Sequence, residues 1–357
     1  MTDALIVWIA DLGEDGVGVA GSKIAKLGSL RTLGVKVPRG FALTTHAYLQ
    51  FIRETGLRNA IERFLGEVDD PDDIDQVEAA AESIRRAFHA APIPPIIGAA
   101  VEEAYELLSD ECRDLNVPVA VRSSATGEDG AEASFAGQFE TVLGVSGVGD
   151  VLDAVKVCWA SLYNGRAVSY RLHHDLDHAS SPMAVGIIEL IHARSSGVAF
   201  SIHPVSGKRD RMVIEANWGW GEAVVQGLVT PDHVEIGKSD RRVLTYQEHT
   251  KVVVSSFDYS QGRVVQVPMP SRLANRRVLD EEELDTIVDA VLEIEAHYGY
   301  PVDVEWVIGR YRRVGEPVVI VQTRPETVHA PAPSRARLGF DVASIARRTV
   351  LSRSEDG

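Results

Sequence analysis

The apolar positions of the chain follow a helical period mainly in the first half and a strand period mainly in the second. Ile24, Leu27 and Leu30 fall on one helical face, and Gly34 with Pro38 ends that helix. The same spacing predicts three further helical regions. One lies at about 44–55, where Thr44 or Thr45 could cap the helix, another extends up to about residue 108, and the third lies at 150–171. Short runs rich in Val and Ile predict strands at 5–10, 117–121, 183–191, 197–202 and 212–216, with a β-rich stretch at about 233–268.

The clearest sequence signals for a helix and for strands lie near the end of the patterned region, at about 280–323. Asp280 and Glu283 have the spacing of a capping box, which predicts that a helix begins at this point. Two strands are predicted to follow, at 302–308 and 317–323, and the chain then becomes rich in Pro, Ala and Ser. We therefore predict an α+β protein with two lobes, at 1–180 and 181–329, followed by a linker and basic tail at 330–357.

Polar side chains interrupt the last two strands with a period of two. Asp303 and Glu305 share one face, as do Gln322 and Arg324. In an antiparallel hairpin, one register places Glu305 opposite Gln322 and Asp303 opposite Arg324. Carboxylate and amide oxygens side by side suit Mg²⁺, and the Arg fork suits a phosphate. The spacing fits an exposed polar face with a cross-strand salt bridge equally well.

Two basic residues lie next to glycines in the first half. Arg122 stands where a predicted strand runs into the Gly-containing segment 123–138, whose backbone N–H groups could hold phosphate oxygens. Lys23 stands at a helix start, which favours anions. A surface Arg before a loop without a chemical role, and a solvated Lys on an amphipathic helix, are the alternatives.

Two acidic residues are candidates for nucleotide contacts. Glu222 ends a Gly-punctuated turn at 217–222, from which a carboxylate could reach a ribose hydroxyl. Glu189 interrupts an apolar strand, either as a polar residue of the strand face or as part of an adenine-binding hinge whose backbone makes the hydrogen bonds. An ordinary turn with a solvated Glu is the alternative at residue 222.

Composition and charge narrow the classes of function. The 357 residues are 45% apolar and 25% charged, which excludes a disordered, collagenous or coiled-coil chain. The net charge of −16 argues against nonspecific binding to nucleic acid or anionic membranes. Only Cys112 and Cys158 occur, so a disulfide framework and a Cys-based zinc site are excluded. The apolar run at 5–10 is too short for a membrane span, and we expect a cytoplasmic protein.

Taken in order, seven segments resemble a known family. They are GSKIAKLGSL, VPRGFALTTHAY, VAVRSSATGEDGAEASFAGQFET, SGVAFSIHP, WGWGEAVVQG, YPVDVEW and VIVQTRPET. The chain resembles, over about residues 1–327, the ATP-binding domain of phosphoenolpyruvate synthase, pyruvate phosphate dikinase and rifampin phosphotransferase. The resemblance implies an ATP-grasp fold, in which two lobes clamp ATP, and it implies ATP and Mg²⁺ as cofactors.

The resemblance also implies roles for individual residues. Residues 126–137 would form a Gly-rich lid, and Glu305 and Gln322 would bind Mg²⁺ with support from Asp303. The catalytic contacts to ATP phosphates would come from Lys23, Arg122 and Arg324. The other contacts to ATP would come from Thr126, Gly127 and Gly137 of the lid, from Glu189, Leu190 and Ile191 at the adenine, and from Glu222 at the ribose.

The chain departs from the family in two respects. Gly21-Ser22-Lys23-Ile24 stands where the family has Gly-Gly-Lys-Gly, so the replaced glycines argue against a close backbone approach to phosphate. The second difference is that the family's swivelling domain with a phosphoryl-accepting His has no counterpart in this sequence. We therefore predict the ATP-binding subunit of a split phosphotransferase, which phosphorylates a His on a partner subunit and releases AMP and phosphate.

The split arrangement resembles phenylphosphate synthase, whose acceptor is phenol. A stand-alone ATP-dependent kinase or ligase acting on a small molecule is one alternative. A nucleotide-sensing subunit without catalysis is another, and a piece of a longer protein is a third.

Overall fold

The computed structural model describes residues 3–126, 139–173, 182–221, 227, 229–258, 263–326 and 329. The α-helices of this part are α1 Val17–Thr32, α2 Thr45–Thr55, α3 Leu57–Leu65, α4 Ile74–Ala90, α5 Pro95–Cys112, α6 Val148–Ala160, α7 Gly165–His173, α8 Ser271–Ala274 and α9 Glu281–Tyr298. None of the helices in these ranges combines the length and the apolar content needed to cross a membrane.

The strands form two antiparallel sheets and a separate hairpin. Their bounds are β1 Ile6–Trp8, β2 Gly40–Leu43, β3 Val119–Ala125, β4 Thr141–Val145, β5 Met183–Glu189, β6 Ala193–Phe200, β7 Arg211–Trp218, β8 Asp232–Gly237, β9 Val243–Gln247, β10 Val253–Asp258, β11 Arg263–Pro268, β12 Val302–Gly309 and β13 Val319–Pro325. The first sheet has the order β1-β2-β5-β3-β4, the second has the order β13-β12-β6-β7-β8-β9, and β10 pairs with β11. The protein is thus a mixed α/β protein, and the finer assignment to the ATP-grasp fold stays a prediction.

Several local predictions are confirmed. Thr44 caps α2 by accepting a hydrogen bond from the backbone N–H of Ala47. Asp280 and Glu283 form both bonds of the capping box at the start of α9. These signals are local in sequence, and short-range hydrogen bonds alone determine them.

Two local predictions are wrong in part. The helix predicted at 150–171 is two helices, because Ser161–Tyr163 forms a 3₁₀ turn and Asn164 begins a new cap. The strand predicted to end at Arg122 continues to Ala125, because β3 pairs with β5 as far as Met183. Arg122 therefore lies inside a strand, and the segment predicted as a loop from residue 123 begins as β structure.

The two sheets share α1. One core lies between the first sheet and helices α2–α7, and includes Phe51 and Trp159. The other core joins the second sheet and α9 with α1 and the opposite face of the first sheet, through Ile24, Ala120 and Trp306 among others. The first sheet takes its middle strand, β5, from beyond residue 180, and the division into lobes at 1–180 and 181–329 stays a prediction.

Candidate functional site

The β12–β13 hairpin brings together the four polar side chains that the sequence singled out. Glu305 lies opposite Gln322 and Asp303 lies opposite Arg324, so the predicted register is confirmed. The Arg324 guanidinium donates to Asp303 through Nε and Oδ2 at 2.6 Å. In an antiparallel hairpin, two residues face each other when their residue numbers add up to the same total. The pairing of Glu305 with Gln322 therefore also places Asp303 opposite Arg324.

A bulge in β13 lies beside these residues. Glu305 pairs with Gln322 but Trp306 pairs with Ile320, so Val321 is the extra residue on β13. The carbonyl of Val321 accepts a hydrogen bond from Arg122 Nη1 at 2.9 Å. The bulge thus turns the Val321 carbonyl oxygen toward the first sheet, where Arg122 of β3 donates to it.

Arg122 connects the two sheets at this point. Its Nη2 donates to the Gln322 side-chain oxygen and lies 3.8 Å from Glu305 Oε2. Its side chain is 12% exposed and that of Glu305 is 22% exposed, so this ion pair is partly shielded from water. The Nε atom of Arg122 is buried and has no hydrogen-bond partner. Arg122, Glu305 and Gln322 thus form one cluster, although they are far apart in sequence.

Asp303 is an electrostatically unusual member of the hairpin. Burial raises the pKa of its carboxyl group above the ordinary value, although the Arg324 charge and hydrogen bond act in the opposite direction. Its Oδ1 atom is buried without a partner. A buried carboxylate oxygen of this kind is favoured by a cation nearby.

The donor set fits a divalent cation such as Mg²⁺. Asp303 and Glu305 supply carboxylate oxygens and Gln322 supplies an amide oxygen, which are hard ligands. Within the described ranges no group of three or more His, Cys, Asp or Glu side chains is arranged to hold a metal ion. The three oxygen donors of the hairpin would therefore need further ligands, such as the phosphate oxygens of a nucleotide. Gln322 would share its oxygen with Arg122 or release it.

Lys23 lies on a kinked helix that packs against β3 and β13. Gly21 interrupts α1 with φ +71°, and a Cβ atom on Gly21 would lie 1.8 Å from the Ser124 carbonyl oxygen. The Ser124 hydroxyl accepts from the backbone N–H of Ile24 at 3.2 Å. Residues 21–24 are thereby held against β3, two positions from Arg122, and α1 also packs against β13. Only a glycine fits at position 21, whereas Ser22 and Ile24 are accommodated within the helix.

The residues predicted at the adenine have partners within the fold. Glu189 forms an ion pair with Arg39 at 2.5 Å, and its backbone N–H donates to the Arg39 carbonyl at 2.9 Å. The N–H of Leu190 donates to the Pro118 carbonyl at 2.8 Å, and the Ile191 carbonyl accepts from Trp220 Nε1 at 2.7 Å. These groups therefore already have hydrogen-bond partners within the protein. Adenine would have to contact other atoms of residues 189–191.

Arg39 is a residue that sequence reasoning missed. It lies in the quoted segment VPRGFALTTHAY, but nothing in the spacing connects it with Glu189, 150 positions away. Cys112 also donates to Glu189 at 3.3 Å, and burial with the adjacent carboxylate raises the pKa of the Cys112 thiol to about 12. This cluster fixes the end of β5, where the chain crosses from the first sheet to the second.

The contacts described above involve none of the remaining predicted site residues. Thr126 follows directly on the last residue of β3. Gly127, Gly137 and Glu222 lie outside the described residues, together with most of the predicted lid and the tail at 330–357.

The sequence matches a known family model over nearly its whole length. The model is that of the pyruvate phosphate dikinase AMP/ATP-binding domain, and the match covers residues 17–339. The chain belongs to this family. The segments that form the cluster, from the kinked α1 to the β12–β13 hairpin, all lie within the matched residues. The recognition from sequence is confirmed at this level.

The relatives are longer proteins than this chain. Phosphoenolpyruvate synthase of Aeropyrum pernix is 37% identical over 351 residues, which cover 92% of this chain and 43% of that protein. Phosphoenolpyruvate synthase of Escherichia coli is 38% identical over 342 residues, which cover 91% of this chain and 42% of that protein. The chain thus spans less than half the length of these relatives. A solved structure from Pyrococcus horikoshii aligns with a TM-score of 0.32 and 14% identity, which carries no weight for the fold.

Proposed function

We propose that the chain binds Mg-ATP between its two sheets, in an ATP-grasp arrangement, and transfers a phosphoryl group by dikinase chemistry. The observation that carries the proposal is the cluster of Arg122, Glu305 and Gln322, which joins the β12–β13 hairpin to an arginine of the first sheet. The family match to an AMP/ATP-binding domain supports the same function.

Each residue of the cluster would contribute to positioning and charge neutralisation. Lys23, Arg122 and Arg324 would bind phosphate oxygens, with the guanidinium groups acting as forks. Glu305 and Gln322 would hold Mg²⁺, and Asp303 would support them through its pair with Arg324. When bound, Mg²⁺ would neutralise phosphate charge, which is the main requirement of phosphoryl transfer.

The acceptor would be a His on a partner subunit, with AMP and phosphate as the other products. Support comes from the relatives, more than half of whose length lies outside the region that this chain matches. Onward transfer to a small acceptor such as phenol, as in phenylphosphate synthesis, is the finer proposal. It rests on the resemblance to a split enzyme alone.

Glu305→Gln tests the proposed cation site. It keeps the size of the side chain and removes the charge that would face Mg²⁺. We expect ATP-dependent transfer of a labelled β-phosphoryl group to the partner His to fall about a hundredfold or more, because lost charge stabilisation in a transition state costs several kcal/mol. Glu293→Gln on the exposed face of α9 makes the same charge change away from the cluster and serves as the control.

The possible outcomes distinguish the proposals. Full transfer by Glu305→Gln would contradict the cation site. No transfer to any partner His by the unaltered protein, together with turnover of ATP and a small molecule by the isolated chain, would favour the stand-alone kinase or ligase. ATP binding without any turnover would favour the nucleotide-sensing subunit.

A further inference from the structure

Ser22 has a buried hydroxyl group without a hydrogen-bond partner. The residue is 6% exposed, and its Oγ atom is buried and unpaired. A serine in a helix often donates to the carbonyl four residues earlier, which here belongs to Gly18. That carbonyl accepts from Thr45 Oγ1 at 2.9 Å instead, and the kink at Gly21 separates the two turns. A buried hydroxyl without a partner destabilises a protein, so this one requires an explanation.

Ser22 lies in the part of α1 that is held on β3. Gly21 abuts the Ser124 carbonyl and Ile24 donates to the Ser124 hydroxyl. Arg122, two positions away on the same face of β3, also has a buried and unpaired donor, its Nε atom. Ser22 Oγ and Arg122 Nε are thus two unpaired donors on segments that lie against each other, and such donors are complementary to a ligand that carries several acceptor oxygens.

We propose that the Ser22 hydroxyl donates a hydrogen bond to a phosphoryl oxygen of the bound nucleotide. This inference rests on the proposed function and adds a binding residue where the family has a glycine. The hydroxyl destabilises the free protein and gains a charge-assisted bond in the complex. Ser22 is thus a phosphate-binding residue particular to this chain's Gly-Ser-Lys-Ile segment.

Ser22→Ala tests the proposal by removing only the hydroxyl. We expect the Kd for ATP, measured by calorimetry, to rise about tenfold, the loss typical of one hydrogen bond to a charged group. The Kd for adenosine, which lacks phosphates, stays the same. The Tm of the nucleotide-free variant equals or exceeds that of the unaltered protein, because an unpaired buried hydroxyl is gone. A purely structural serine would give the opposite pattern, a lower Tm with unchanged ATP affinity.

Ser29→Ala is the matched control. Ser29 is also buried on α1, and its hydroxyl lies 3.4 Å from His297 Nε2, away from the cluster. This variant keeps its affinity for ATP. Ser22→Gly restores the family residue and also lacks the hydroxyl, so its Kd for ATP rises as in Ser22→Ala.

The outcomes separate this inference from the proposed function. If Ser22→Ala and Ser22→Gly bind ATP as tightly as the unaltered protein, that result overturns the role of Ser22. It leaves the proposed function standing. An equal loss of affinity for ATP and adenosine also overturns it, since the contact is then not to a phosphate. An unaltered protein that fails to bind ATP overturns both.

Discussion

At the scale of single residues, charge pairs anchor the segments that carry the candidate site. Glu282, in the first turn of α9, receives both terminal nitrogens of Arg312, at 2.8 and 2.9 Å. It also accepts the backbone N–H of Gly315 at 2.8 Å. These hydrogen bonds, those of Arg312 first, lower the pKa of the Glu282 carboxyl to about 2. The pair holds the connection between β12 and β13 against α9, and so supports the hairpin.

We predict that the substitution Glu282→Gln lowers the free energy of unfolding by an amount that depends on pH. The folded-state pKa of Glu282 lies below its unfolded value, so its contribution is present above about pH 4.5 and is lost as the pH falls toward 2. At pH 6 the variant should be less stable by roughly 0.5–1 kcal/mol, as for a well-formed surface pair. Urea unfolding at pH 6, 4 and 3 checks this: the difference must be smaller at pH 4 than at pH 6, and smaller again at pH 3. A difference that grows toward low pH would contradict it.

At the scale of elements, the β10–β11 hairpin links the second half of the chain to the first sheet. Phe257 and Val264 pack against Gly144 of β4, where a Cβ atom would lie 2.8 Å from the Phe257 ring. On the other side, Gly219 forms a bridge with Ser255 of the hairpin. The ring of Phe257 also meets Trp220 edge-on, with centroids 6.4 Å apart. The hairpin therefore connects β4 with the turn that follows β7.

Phe257→Ala tests this connection. The half-buried ring should contribute about 1–2 kcal/mol to the free energy of unfolding, less than a fully buried Phe would. Val252→Ala, just before β10 at a position that is 59% exposed, should change stability by less than about 0.5 kcal/mol. Urea titrations of both variants give the comparison. Equal stability of the two would show that the hairpin does not support the fold through Phe257.

At the scale of the whole molecule, the two cores are coupled through α1. Ile24, Leu27 and Leu30 pack in the core of the second sheet, while the backbone of α1 is held on β3 of the first. Arg122 adds a polar connection between the sheets. Unfolding either core would expose apolar surface of the other, so the stability of each depends on both.

We therefore expect the described body to unfold as one unit. Trp159 lies in the first core and Trp306 in the second, and both are fully buried. With 5-fluorotryptophan incorporated, the ¹⁹F signals of these two residues should disappear at the same urea concentration. Phe51→Leu, a change confined to the first core, should lower both midpoints equally. Separate midpoints would mean that the two halves unfold independently.

Local signals predicted much of the fold and part of the site. The caps at Thr44 and Asp280 depend on residues three positions away, and the sequence pattern contains them completely. The strand period and a supposed hairpin place Glu305 opposite Gln322 in one register, and the structure has that register. The 3₁₀ turn after α6 was missed because apolar residues continue through it at helical spacing, and the turn depends on a side-chain cap at Asn164.

The contacts that make these segments one site depend on tertiary structure. Arg122 reaches the hairpin across 200 positions, Gly21 meets Ser124 across about a hundred, and Glu189 pairs with Arg39 across 150. Periodicity contains no information about such pairs, because it reflects only which face of a strand or helix is buried. The alternation of side chains thus determines the donors of the hairpin. The packing of the two sheets around α1 determines that Arg122 meets those donors, because only the folded chain brings β3 next to the hairpin.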